Sequence, residues 1–228
     1  MFLNREDAGR ELAARLKGRP LVNPLVLAIP RGGVVVGAAL ARELGAELDV
    51  ALVRKIRAPD RPELAIGAIA EDGDVYLNAH GLEVARLQEY YLHDECRYQM
   101  REIARRRGKF RRVRPAAPVL GRSVILTDDG IATGSTMLAA VKLVRARQPH
   151  ELIVAVPVAA PDSLEGIRPS ADQVVCLLSP PELGAVGRFY RDFRPVDDAE
   201  AFGLLCAPAA AGPGVPDPDL LLTKGVTP

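Results

Sequence analysis

The stretch Val124-Ile125-Leu126-Thr127-Asp128-Asp129-Gly130-Ile131-Ala132-Thr133-Gly134-Ser135-Thr136 decides the fold. Three aliphatic residues and a threonine make a short buried strand, and two adjacent carboxylates stand at its carboxyl end. A turn of small and hydroxyl-bearing residues follows, and an amphipathic helix begins. In an open α/β sheet the carboxyl ends of the strands are where ligands bind. A helix that opens from such a turn offers unpaired backbone N–H groups and the positive end of its dipole to an anion. Asp128 and Asp129 cannot hold that anion; they suit hydroxyls, a developing positive charge or a metal. One segment thus offers a phosphate seat beside acceptors for a sugar diol, as a phosphorylated ribose requires.

Outward from this stretch, helices and strands alternate, which predicts an α/β fold of three layers, a mainly parallel sheet with helices on both faces. Asn4 is placed to cap a helix over 5–17 with Ala8, Leu12 and Leu16 on one face. Leu25–Ile29 reads as a strand ending at Pro30-Arg31-Gly32-Gly33, followed by a helix to Leu44 with Gly45 as its C-cap. Leu48–Val53 is the next expected strand, and the polar stretch Arg54–Pro62 reads as a mobile loop. Ala65–Ala70 and Val75–Leu77 flank Asp72-Gly73 as a hairpin. A long charged helix over 82–107 interrupts the alternation, which resumes with strands at 123–127, 152–158 and 173–178. A proline-rich aromatic segment covers 180–195 and a short helix 197–205. The organisation expected is one domain over 1–206, with a core at about 21–179 and a hood at about 180–206. The N-terminal helix is a candidate member of that hood, and 207–228 reads as a loosely held tail.

Composition excludes several classes. The 228 residues carry a net charge of +1, so no global field draws nucleic acid or a membrane surface. Hydrophobic residues make up 48% of the chain, enough to fill a core. Cys96, Cys176 and Cys206 lack paired spacing, which argues against a disulfide framework or a zinc site and for buried or half-buried thiols. No apolar run approaches the ~18 residues of a membrane helix, and the first residues show no leader pattern, so the expected compartment is the cytoplasm. His80, His93 and His150 lack metal-ligand spacing and read as surface residues. The basic run 105–114 reads as a solvated helix end; contact with nucleic acid is the less favoured alternative.

Residues 124–136 resemble the signature of the type I phosphoribosyltransferases: a hydrophobic strand, two acids and a loop ending Thr-Gly-x-Thr. The departure is Gly130, where relatives usually carry an aliphatic residue. The resemblance implies that the chain is an enzyme with the core fold of that family, a glycosyltransferase that takes 5-phosphoribosyl-1-pyrophosphate (PRPP) with Mg²⁺. Ala132, Thr133, Gly134, Ser135 and Thr136 would hold the 5′-phosphate, and Asp128 and Asp129 the ribose diol. Arg31, Gly32 and Gly33 would form the pyrophosphate loop, with a non-proline cis peptide expected at Arg31–Gly32. Arg54 and Lys55 would meet the departing pyrophosphate, with Arg57 given less weight. Mg²⁺ would be held mainly by substrate and water, with no direct protein ligand named. The acceptor would be a small nitrogenous compound, with Val186, Phe189, Tyr190 and Asp192 as its candidate pocket. Ala132 stands where relatives acting on 6-oxopurines carry an acid, which points away from those bases. A non-catalytic PRPP sensor on the same fold is the rival reading, and a homo-oligomer is compatible with either.

Overall fold

The computed structural model describes residues 1–62 and 64–206; the tail expected at 207–228 lies outside them. Asn4 accepts a hydrogen bond from the Asp7 amide at 2.9 Å and so caps α1 (Arg5–Leu16). β1 (Leu25–Ala28) leads into α2 (Gly32–Leu44), which ends on Gly45 at φ 62°, a left-handed conformation that favours glycine. β2 (Glu47–Val50) follows, then β3 (Val53–Arg57), β4 (Ala65–Ala70) and β5 (Val75–Leu77). Two helices come next, α3 (Ala79–Leu87) and α4 (Glu89–Val113). The alternation resumes with β6 (Ser123–Thr127), α5 (Ser135–Ala146), β7 (Glu151–Val158), α6 (Pro161–Ile167) and β8 (Gln173–Leu178). The last described element is α7 (Asp198–Cys206).

Five strands form one parallel sheet in the order β2-β1-β6-β7-β8. Its central strands are apolar throughout because both faces are covered. Val26, Ala28, Ile125, Ile153 and Ala155 face α1 and α2, packing with Leu12, Leu16, Val36 and Leu40. Leu25, Leu27, Val124, Leu126, Leu152 and Val154 face the other layer, with Met137, Val141 and Val144 of α5 and Leu164 and Ile167 of α6. The three expected layers are present. None of the helices among the described residues is long and apolar enough to cross a membrane.

The segment between β2 and β6 departs from expectation in three ways. The strand placed at 48–53 ends at Val50, and Arg54–Arg57 lie in a strand of their own rather than in a mobile loop. β3 pairs antiparallel with β4, and β4 with β5, so the hairpin is part of a three-stranded sheet. β3 escaped notice because only Ile56 is fully buried while Arg54, Lys55 and Arg57 are half-buried. The expected single helix breaks at Gln88, and its second part runs on to Val113. The basic run is solvated only in part: Arg105, Arg107, Lys109 and Arg112 are exposed, whereas Arg111 pairs with Asp49 and Glu71, Arg114 donates to the Leu48 carbonyl, and Phe110 packs edge-on against Phe202 at 4.7 Å.

On the other side of the sheet, the N-terminal residues run beside the segment after β8. Phe2 donates its amide to the Phe189 carbonyl at 2.8 Å, and Arg191 and Asp192 donate theirs to Phe2 and Leu3. Phe2, Ala8, Val158, Leu183 and Tyr190 make a small core of their own. Cys96 and Cys176 are half-buried as expected, but Cys206 is exposed, because α7 turns Ala201 and Leu205 inward instead.

Candidate active site

The sheet register sets the site. Ala28 lies opposite Thr127, so the loops that leave β1 and β6 emerge side by side. The ladder extends one step further through the Ile29 amide to the Thr127 carbonyl at 2.9 Å. Thr127 ties the end of β6 to β7 by donating its hydroxyl to the Ala155 carbonyl at 2.6 Å.

Glycines 32 and 33 owe their place to the acids opposite. A Cβ on Gly32 would stand 1.9 Å from Asp129 Oδ2, and one on Gly33 would stand 2.9 Å from Asp128 Cα. No side chain fits between the two loops. The cis peptide falls at Pro30–Arg31, one bond before the expected Arg31–Gly32.

Asp129 is held from three directions. Arg5 Nε donates to Asp129 Oδ2 at 2.8 Å, and the same guanidinium lies 3.8 Å from the Phe193 ring centre and donates to the Arg194 carbonyl. The Tyr190 hydroxyl donates to the Asp129 carbonyl at 2.6 Å. Burial, reinforced by the charge of Asp129, pushes the Tyr190 phenol well up, so it stays a proton donor. The Asp129 amide donates to Asp128 Oδ1 at 2.8 Å. Burial first, and then repulsion by Asp129, push the Asp128 carboxyl well above its ordinary range.

The 130–136 loop is braced from outside. Ile131 bridges the end of β7 through Val158 and Ala160, and Ser163 Oγ donates to the Ala132 carbonyl at 2.7 Å. Gly134, at φ 73°, is the N-cap of α5, whose first turn has no side-chain cap. Those N–H groups have no partner within the helix. A Cβ on Gly130 would meet Val186 Cγ1 at 2.5 Å, so the missing aliphatic side chain leaves the space that Val186 fills.

A cavity of about 360 Å³ joins these parts: Arg54, Lys55, Gln99, Arg106, Asp128 and Thr136 line it. Arg54 Nε donates to Gln99 Oε1 at 2.5 Å. Arg57 is clamped by Glu95 through bonds of 2.7 and 2.9 Å. Burial opposes ionisation of Glu95, but hydrogen bonds from Arg57 and Gln99 outweigh it and hold the carboxyl below the usual range. Gln99 bridges Glu95 and Arg54, so one polar row on α4 orders two cations of β3.

Of the four residues singled out for an acceptor, Val186, Phe189 and Tyr190 share one apolar cluster and Asp192 lies outside it. Val186 touches the acid loop at Gly130. Phe189 packs in the small N-terminal core, and Tyr190 is only 5% exposed, with its ring against Phe2 and Phe193 at 5.3 and 5.0 Å. Tyr190 is thus a brace for Asp129 rather than a platform for a flat ligand. Asp192 is exposed and accepts from the Arg194 amide.

Sequence reasoning passed over Arg5, Glu95, Gln99 and Arg106. A signal existed: Arg5 precedes Ala8, Leu12 and Leu16 on the apolar face of α1, and positions 95, 99, 103, 106 and 110 follow helical spacing. A polar residue inside an apolar stripe marks a buried polar contact.

Comparison with known proteins agrees with this geometry. The phosphoribosyl transferase domain family matches residues 2–187. A Mycobacterium tuberculosis protein (strain H37Rv), whose curated name assigns it provisionally as a phosphoribosyl transferase, is 39% identical over 242 residues, covering 100% of this chain and 54% of its own length. A second strain of the same species, CDC 1551, carries a counterpart with the same figures. The crystal structure of TT1426 from Thermus thermophilus is 44% identical and superimposes with a TM-score of 0.85, covering 90% of this chain and 97% of that one. The chain belongs to the phosphoribosyl transferase domain family. It spans about half the length of the curated relatives it matches.

Proposed function

We propose that the chain transfers the 5-phosphoribosyl group of PRPP to a small nitrogenous acceptor, with release of pyrophosphate. What carries the reading is convergence: Asp128, Thr136 in the uncapped first turn of α5 and the half-buried Arg54 and Lys55 border one cavity of about 360 Å³, and Thr133, Gly134 and Ser135 line a neighbouring one of about 230 Å³. Residues 132–136 hold the 5′-phosphate through backbone N–H groups and the Thr133, Ser135 and Thr136 hydroxyls. Asp128 and Asp129 accept from the 2′,3′-diol. As pyrophosphate leaves, positive charge grows on the ribose ring, and a carboxylate held by Arg5 cannot swing away from it. Arg31, Arg54 and Lys55 meet the leaving group, while Arg57 serves to fix β3 through Glu95.

The donor set fits Mg²⁺ carried in with the substrate. Asp129 is a carboxylate suited to the ion, and Asp128, whose proton burial and the charge of Asp129 retain, becomes one when a cation displaces that proton. Such a site leaves most of the octahedral shell to phosphate and water. When bound, the ion neutralises charge on the departing pyrophosphate.

The acceptor is a nitrogen nucleophile other than a 6-oxopurine. Proton exchange with a purine ring nitrogen needs a group at about 2.6–3.2 Å. The Ala132 methyl cannot supply it, and no acid lies between 130 and 136. A role in nucleotide salvage and a cytoplasmic location follow from this reading. Pyrophosphate release from PRPP and Mg²⁺ across a panel of nucleobases and amines tests it. Turnover with one acceptor supports a transferase; PRPP binding with no turnover on any acceptor favours a sensor. Brisk turnover of hypoxanthine or guanine refutes the exclusion.

A further inference from the structure

Arg105 and Lys109, in the last third of α4, take no part in the chemistry above. Arg105, Arg106 and Lys109 join Pro30 and Arg31 around a second cavity of about 200 Å³, which Phe110 and Asp198 complete. Four cations face a single carboxylate. Asp198 is stretched between two of them, 2.7 Å from Lys109 Nζ and 3.9 Å from Arg31. Its carboxyl is held below the ordinary range, by Lys109 first and also by Arg31 and Arg106.

Arg106 links this cavity to the first. Together with Pro30 it lines both, so the cations of β3 and those of α4 form one continuous wall. Arg106 is half-buried, and burial, followed by the charges of Arg54, Arg105 and Arg31, disfavours its protonated form. Like charges crowded into a concave surface raise the energy of the empty pocket and lower it again when a polyanion enters.

We propose that this pocket seats the third phosphate of an oligophosphate chain whose first two phosphates occupy the pyrophosphate end of the active centre. The proposal rests on the transferase reading for the position of that end. The ligand chemistry is a run of three or more phosphates, free or carried on a nucleoside. Such a chain spans both cavities and competes with PRPP, which has only two phosphates at C1′ and stops short of Arg105 and Lys109.

Calorimetric titration with pyrophosphate, tripolyphosphate, ATP and PRPP in the presence of Mg²⁺ tests the proposal on the wild type, on Arg105→Ala and on Arg105→Ala/Lys109→Gln. The single variant leaves the Lys109–Asp198 pair in place and guards against a rearranged pocket. Wild-type protein is expected to bind tripolyphosphate at least about tenfold more tightly than pyrophosphate. The single variant narrows that margin and the double variant erases it, with pyrophosphate and PRPP affinities unchanged. ATP binding comparable to tripolyphosphate assigns the chain to a nucleotide, and tighter tripolyphosphate binding assigns it to the free anion. No margin in the wild type, or a margin that survives in the double variant, overturns the proposal. A parallel titration with single-stranded RNA does the same if RNA binds more tightly than tripolyphosphate and loses that affinity in the double variant. If the margin and its loss are seen while PRPP fails to bind, the anion pocket stands and the transferase reading falls.

Discussion

At the residue scale the site depends on two acids whose roles the protein sets apart. Asp129 is committed to Arg5, whereas Asp128 is pushed toward its neutral form by burial and by Asp129. In the unfolded chain Asp128 releases its proton near pH ~4. Folded, it keeps the proton to higher pH, so across that window the native state binds more protons and stability falls as pH rises. Asp128→Asn has no proton to lose. Thermal melts of the ligand-free variant are expected above those of the wild type at neutral pH, with the gap closing toward pH ~4. PRPP turnover falls about a hundredfold to a thousandfold, as when one electrostatic stabiliser of a transition state is removed. A variant that melts lower than wild type at neutral pH would show that the carboxyl is not destabilising. Gly32→Ala tests the other acid: its methyl would fall 1.9 Å from Asp129 Oδ2. That carboxylate must leave Arg5, and turnover is expected to fall by about a hundredfold or more with the far-UV spectrum unchanged. Activity within twofold of wild type would mean that the Arg5 pair does not place Asp129.

At the scale of elements, legibility followed burial. The strands of the parallel sheet are covered on both faces and read as plain apolar runs, and the acid-and-hydroxyl loop after β6 could be placed from its residues alone. β3 could not, because its exposed-looking arginines find their partners on the distant α4, Arg57 in an ion pair with Glu95 and Arg54 in a hydrogen bond to Gln99. The same holds for Arg111, whose charge suggests solvent but whose partners are Asp49, 2% exposed, and Glu71. Burial opposes the charge on Arg111, yet both carboxylates hold its pKa above the ordinary arginine value. Removing one partner of such a buried group leaves the others uncompensated, which typically costs about 3–5 kcal/mol. Arg111→Met is therefore expected to lose about that much in urea unfolding. Arg10→Met, which breaks an exposed pair with Glu6 within α1, is expected to leave the urea midpoint close to that of the wild type. Equal losses in the two variants would show that α4 is not tied to β2 by this pair.

Across the whole molecule, the site is assembled by segments far apart in the chain, and this is where the sequence was least informative. The aromatic residues near 190 suggest an acceptor pocket in the sequence, and the partner segment they pack against makes Tyr190 part of a core instead. That partner is the N-terminal segment: Phe2 is 2% exposed and packs on Tyr190, whose hydroxyl holds the Asp129 carbonyl, while Arg5 three residues later holds its carboxylate. The apolar stripe of α1 marks Arg5 as a buried polar contact, but nothing local to Phe2 or Arg5 names a partner more than a hundred residues away. If the first residues act as a clamp on Asp129, a cavity there should cost function beyond its cost in stability. Phe2→Ala and Leu16→Ala form the comparison, since both side chains are buried and the truncations cost about 3–5 and about 2–5 kcal/mol respectively. Leu16 packs in the core under the sheet, away from the acids. Measured below both melting temperatures, PRPP affinity is expected to fall at least about tenfold in Phe2→Ala and to stay near the wild-type value in Leu16→Ala. Equal affinities in the two variants would reduce the N-terminal segment to packing and leave Asp129 placed by its own loop.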